Sequence, residues 1–173
     1  MTFKAQSNER FDLLKHWQED VPQDRLAHLV RDTARAYSRS LQARLARHQV
    51  AFGHWTFLRI LWQKDGLTQR ELSLRAGVME PTTYSALKTM QGLGYIEIRH
   101  LADNKKNKHV FLTPLGQQLR QVLVPLAQET NRISVKGLSA EEVVRARQVL
   151  LQLLHNLVND QELEGEEGQG DGP

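Results

Sequence analysis

The sequence predicts a mainly α-helical protein that carries one small β-hairpin. Apolar residues recur at three- and four-residue steps through most of the chain, and the period falls to two only around Ile96 and Val110. Two of the helical runs open on a threonine or serine followed three residues later by glutamate, the pattern that caps a helix start. At 173 residues the chain makes one modest subunit around a single core.

Residues 1–23 are polar apart from Phe11, Leu13, Leu14 and Trp17, and are expected to form an arm. From Asp24 onward, Leu26, Val30, Thr33, Tyr37, Leu41, Leu45 and His48 line one face, opposite His28, Arg31, Asp32, Arg35, Arg39 and Gln42. That spacing predicts an amphipathic helix of about 25 residues. Gly53 is expected to break the chain before a second, mostly buried helix from His54 to Gln63, ended by Lys64-Asp65-Gly66. The two helices make up residues 24–63.

Residues 64–113 read as one lobe. Thr68-Gln69-Arg70-Glu71 is a capping box, so a short helix starts there, with Leu72 and Ala76 facing inward. Gly77 supplies a turn, and Pro81 suits the opening of a further helix that sends Leu87 and Met90 inward. Two short helices across a glycine turn make a helix-turn-helix. After Gly92 and Gly94 the alternation of Ile96 and Ile98 with Glu97 and Arg99 predicts a strand, and His109-Val110-Phe111-Leu112 can pair back on it. The hairpin is a small β-wing whose tip, Asp103-Asn104-Lys105-Lys106-Asn107-Lys108, is rich in donor groups.

Residues 114–159 are expected to close the fold with two helices. The first carries Leu115, Leu119, Val122, Leu123 and Leu126, with a bend at Pro125. The second follows the capping box Ser139-Ala140-Glu141-Glu142 and carries Val143, Ala146, Val149, Leu150, Leu153, Leu154 and Leu157, a stripe that needs a partner surface. Residues 160–173, rich in Gly and Glu, have too little apolar surface to offset their ordering entropy and are expected to be a disordered acidic tail.

Composition narrows the function. No apolar run approaches the length of a membrane span and the start is polar, so neither membrane nor leader is expected and the cytoplasm is the expected location. Zero cysteines exclude disulfides, thiolate metal sites and a cysteine nucleophile. The chain has no Gly-rich phosphate loop after a strand, no serine elbow and no paired carboxylates outside the tail, which argues against an enzyme. Net charge is +3, yet six of the 20 acidic residues fall in the last fifteen positions with no base among them. The body of the chain is therefore strongly basic, which suits a polyanionic partner.

The stretch Gly66-Leu67-Thr68-Gln69-Arg70-Glu71-Leu72, followed by Ala76-Gly77-Val78, Pro81-Thr82-Thr83, Gly92-Leu93-Gly94-Tyr95-Ile96 and Leu112-Thr113-Pro114-Leu115-Gly116, resembles the multiple antibiotic resistance regulator (MarR) family. These are bacterial winged-helix repressors, and the resemblance covers roughly residues 25–158. It implies a homodimer in which the first and last two helices interlock and two winged helix-turn-helix lobes read adjacent major grooves of a palindromic operator. It also implies a ligand-responsive regulator, without cofactor, released by a small aromatic carboxylic acid. The sequence departs from the family pattern at Met79, where a Ser or Thr cap is frequent, at Ser85, where an arginine is frequent, and at the wing tip, where lysines replace arginines.

The expected DNA-binding residues are Pro81, Thr82, Tyr84, Ser85 and Lys88 on the second helix of the motif, and Arg99, Asn104, Lys105, Lys106 and Lys108 in the wing. Hydroxyls can bond bases or phosphates, Tyr84 can meet a thymine methyl, and lysines suit phosphates. The expected effector pocket is Arg31, Tyr37, His48, His54 and Trp55, with aromatic walls and a cationic or donor group for a carboxylate; core packing competes for Tyr37 and Trp55. Seven histidines raise the alternative of a metal-responsive repressor, but His48 and His54 do not share a helical face and no His-x-x-x-His pair occurs. No metal ligands are assigned. A winged-helix module that binds protein instead of DNA is a further alternative.

Overall fold

The computed structural model describes residues 26–101 and 107–167, with side chains described as far as Asp160. The expected arm and the tip of the hairpin, including Asn104, Lys105 and Lys106, lie outside the described residues.

Helix α1 spans Leu26–Leu45 and passes into a 3-10 turn at Ala46–His48. Gln49 closes that turn with φ 59°, and the amide of Val50 bonds the carbonyl of Leu45. The α-helix thus ends at buried Leu45, and His48 stands exposed on the turn instead of continuing the apolar face. Val50, 2% exposed, enters the core directly after the turn, and the tighter winding lets the chain leave the helix within a few residues.

Helix α2 spans Phe52–Gln63, so Gly53 lies in its first turn and does not break the chain as expected. At the first turn a glycine interrupts no interior hydrogen bond, because first-turn amides have no intrahelical partner, so the helix begins there without the cost an interior glycine carries.

A short strand β1, Leu67–Thr68, precedes helix α3, Gln69–Ala76. Two residues are too few to show a period, so β1 is not legible in the sequence alone. The Thr68 hydroxyl accepts from the Glu71 amide while the Glu71 carboxylate accepts from Thr68 N–H and O–H, each at 2.8 Å, completing the expected box. Gly77 ends α3 at φ 62°, a left-handed turn that favours glycine. Helix α4 follows at Glu80–Gly92 with Pro81 in its first turn.

Strands β2, Ile96–His100, and β3, Lys108–Leu112, form the hairpin, and β1 adds to the other edge of β3, giving the antiparallel order β1-β3-β2. Ile96 faces Leu112 and Ile98 faces Val110 on the core side; Glu97 faces Phe111 and Arg99 faces His109 on the other. Leu58, Leu61, Leu67, Leu72, Leu87, Met90, Ile96 and Val110 meet in the core of the lobe with Leu45 and Phe57.

Helix α5 spans Pro114–Ser134 and runs through Pro125. The chain divides into two compact units, one ending at Thr130 and the other beginning at Asn131. Most of α5 therefore belongs to the first unit. Leu123, fully buried, and Leu119, Leu126 and Ala127 pack on the first unit's core. The second unit holds helix α6, Ala140–Glu167, opened by the Ser139–Glu142 capping box. α6 continues seven residues beyond the start of the expected disordered tail at Asp160, since Gln, Glu and Leu follow with no proline and no glycine before Gly165. Residues 168–173 lie outside the described residues.

Candidate nucleic-acid interface

α4 is the element through which the lobe presents a polar face. Thr83, Leu87 and Met90 are buried, which fixes the rotation of the helix. Pro81, Thr82, Tyr84, Ser85 and Lys88 consequently lie together on the exposed side, the grouping expected from the spacing. Several hydroxyls on the helix are already engaged by it: Thr83 Oγ1 donates to Met79 O, Ser85 Oγ to Pro81 O and Thr89 Oγ1 to Ser85 O, at 3.1 to 3.2 Å. Ser85 therefore offers an incoming base its oxygen lone pairs more readily than its proton.

The first helix of the motif is joined to α4 by a defined turn. The Ser73 hydroxyl, buried, donates to Val78 O, and the Val78 amide donates back to Ser73 O at 3.1 Å. This reciprocal pair holds the two helices at a set separation around Gly77.

On the outer face of the wing, the Arg99 guanidinium lies over the Phe111 ring, 4.1 Å from its centroid, and its Nε donates to Glu97 at 2.9 Å. Cation–π and ionic contacts thus restrain a side chain that remains more than half exposed. Phe111 and Glu97, which hold Arg99 in place, were not expected from the sequence. The hairpin register places Phe111 opposite Glu97 and diagonal to Arg99, so the signal was present in the alternation. Lys108 opens β3, exposed, opposite His100.

The five expected pocket residues have different surroundings. Trp55 is only 7% exposed and packs edge-on to Trp62 within the core, so its surface is used in packing and it is not an open wall. His48 is exposed on the 3-10 turn. Arg31 bonds Asp32 at 3.2 Å on the exposed side of α1, and Tyr37 is 38% exposed on the same helix. His54 is half-buried, edge-on to Tyr95 with ring centroids 6.3 Å apart, and its Nδ1 is buried without a hydrogen-bond partner. Burial pushes its pKa below the ordinary histidine value. Among the described residues no three His, Cys, Asp or Glu side chains gather as a metal site, and no helix is long and apolar enough to cross a membrane.

No family model matches the chain. The HTH-type transcriptional regulator TtmR of Methylorubrum extorquens is 26% identical over 104 residues, which are 58% of this chain and 53% of that protein. The chain spans about half to three-fifths of the curated relatives it matches, 53% of TtmR and 61% of an uncharacterized HTH-type regulator of Staphylococcus aureus. Among solved structures, the transcriptional regulator PA3341 is 30% identical with a TM-score of 0.70, over 77% of this chain and 98% of that one. A MarR family regulator from Listeria monocytogenes complexed with 26mer DNA superposes with a TM-score of 0.71 at 23% identity, over 86% and 98% of the two chains. Bordetella bronchiseptica BpsR, whose DNA binding is regulated by 6-hydroxynicotinic acid, has a TM-score of 0.68 at 17% identity, over 75% and 98%. These relatives are regulators and not enzymes. At 30% identity over 98% of the PA3341 chain, and with the fold of a MarR family regulator, this chain belongs to the MarR family of winged helix-turn-helix transcriptional regulators.

Proposed function

We propose that this protein is a cytoplasmic, homodimeric repressor that holds a palindromic DNA operator and releases it on binding a small aromatic carboxylic acid. The exposed face of α4 carries the reading: Thr83, Leu87 and Met90 bury one side, so Pro81, Thr82, Tyr84, Ser85 and Lys88 are all available to a major groove. Arg99, Lys108 and the wing-tip residues Asn104, Lys105 and Lys106 are the candidates for backbone or minor-groove contact. A two-fold dimer would set its half-sites about one helical turn apart. The apolar surface of α6 supports dimerisation: Leu150, Leu154 and Leu157 are each about half or more exposed in the single chain and lie on one helical face.

Effector control is supported by His54, whose buried Nδ1 lacks a partner, and by the regulation of BpsR by a heteroaromatic acid. A carboxylate beside His54 would favour the imidazolium and gain a charge-assisted hydrogen bond. Arg31 and Tyr37 on α1 are the other candidates for that site; Trp55 would act by shaping the core behind His54. A coupling of about 1 to 3 kcal/mol would weaken operator affinity 5- to 150-fold.

Titrating duplex DNA at several salt concentrations tests the central claim. Affinity should fall steeply with salt, and neutralising Lys105 and Lys106 should flatten the slope by roughly one or two units. Salt-independent or absent DNA binding would sink the claim in favour of a protein-interaction module. Replacing Leu153 and Leu154 with Asp should monomerise or unfold the protein by light scattering and circular dichroism. A folded monomeric wild type would remove the dimer.

A further inference from the structure

Met79 is the most exposed large apolar side chain among the described residues, at 76%. It occupies the N-cap of α4, where its side chain makes no capping bond. Ser, Thr, Asp or Asn at such a position would satisfy a first-turn amide and stabilise the helix, so methionine forgoes stability twice, by leaving the end uncapped and by holding an apolar chain in water. Its backbone, by contrast, is firmly held. Met79 O accepts from the Thr83 amide at 3.0 Å and from the Thr83 hydroxyl at 3.2 Å, and Thr83 is fully buried. A flexible thioether is thus projected from a fixed point at the leading end of the helix.

The neighbouring groups restrict what that end can touch. Helix N-termini ordinarily attract phosphate, but Glu80 places an exposed carboxylate in the first turn, and Pro81 beside it has no N–H to donate. A phosphate would be repelled by the first and unsupported by the second. An apolar group on a base edge suffers neither penalty. In the major groove the one apolar group on a base edge is the C5 methyl of thymine.

Building on the reading of α4 as the helix that enters the groove, we propose that Met79 is a specificity-determining residue that recognises a thymine C5 methyl group in each half-site. Its Sδ and Cε pack on the methyl and discriminate thymine from cytosine through buried apolar area, without a hydrogen bond. The hydroxyls of Thr82 and Ser85 read polar edges further along the helix.

The test begins by selecting tight duplexes from a random library with the full chain. Each thymine of the selected half-site is then replaced singly by deoxyuridine, which removes the methyl and leaves pairing intact. One position should lose about three- to tenfold in affinity, the scale of one buried methyl group. The same replacement should cost nothing in Met79→Ala, and Met79→Leu should retain most of the discrimination. Met79→Ser should lose it while raising the melting temperature, separating readout from folding. Equal affinity for all uridine duplexes in the wild type, or an unchanged uridine penalty in Met79→Ala, would overturn the assignment while leaving DNA binding by α4 intact. If no duplex is enriched and affinity does not respond to salt, the groove-binding reading fails and the role of Met79 fails with it.

Discussion

The indole Nε1 of Trp62 donates a 2.9 Å hydrogen bond to the carbonyl of Gly116, tying the end of α2 to the first turn of α5. Gly116 sits there because nothing larger fits: a Cβ would lie 2.1 Å from the Tyr95 carbonyl oxygen and 3.0 Å from the Leu112 side chain. The Gly116 amide also donates to Thr113 Oγ1 at 3.1 Å, and the Thr113 amide to Tyr95 O at 3.1 Å. One glycine thereby connects α2, the base of the wing and the start of α5.

Gly116→Ala should destabilise the lobe by about 3 kcal/mol, because the colliding atom is backbone and cannot swing aside. Trp62→Phe should cost about 1 to 2 kcal/mol, leaving the Gly116 carbonyl short of one donor. Urea denaturation of both variants measures the two effects, and a Gly116→Ala protein as stable as the wild type would refute the packing argument.

Arg99 should contribute to affinity through the order that Phe111 and Glu97 impose on it. Arg99→Ala is expected to weaken all duplexes to a similar extent and to reduce the salt slope by about one unit, as loss of a phosphate contact does. Phe111→Leu should give a smaller loss in the same direction, and the two changes together should fall short of additivity by about 0.5 to 1 kcal/mol. Strict additivity in DNA titrations would mean that the ring does not position the guanidinium.

The capping box links the stability of α3 to pH. Hydrogen bonds from the backbone and then the side chain of Thr68 hold the Glu71 carboxyl below its ordinary pKa of 4.5. A depressed folded-state value means the stabilisation is complete above that ordinary value and is lost as pH falls through the folded one. Thr68→Ala should cost about 1 kcal/mol near neutral pH. Glu71→Gln should reduce the acid sensitivity of unfolding, so parallel pH profiles for wild type and Glu71→Gln would argue against the link.

What could be read from the sequence depended on periodicity and on residues with strong local chemistry. The rotation of α4 followed from Thr83, Leu87 and Met90 recurring at helical spacing, and the cap of α3 from Thr68 and Glu71 alone. β1 was not legible because Leu67 and Thr68 are ordered by pairing with Val110 and His109, some forty residues away. Gly53 misled because a glycine weakens a helix in its interior and ends one at its C-terminus, whereas here it falls in the first turn. For Trp55, aromatic character alone could not show the edge-on packing against Trp62, which depends on the helix's three-dimensional surroundings. The readout role argued for Met79 was hidden because its signal is a missing cap, which acquires meaning only once the side chain is known to be exposed.

His54 gives the effector proposal a proton signature. Burial lowers its pKa from the ordinary 6.5, so the folded protein keeps the imidazole neutral where the unfolded chain would already be charged. Stability tied to His54 is therefore full above 6.5 and declines as pH falls toward the depressed folded value. His54→Gln should flatten that decline. A carboxylate docked on Nδ1 reverses the preference by rewarding the charged form, so binding an aromatic acid near neutral pH should take up a proton, and affinity should weaken as pH rises. Calorimetry in buffers of different ionisation enthalpy reads the proton uptake directly. Pyridine and benzoic acids should show uptake with the wild type and none with His54→Gln. A binding enthalpy that is the same in every buffer, or proton uptake that persists in His54→Gln, would place the carboxylate on another residue, and Arg31→Ala would then be the variant that decides.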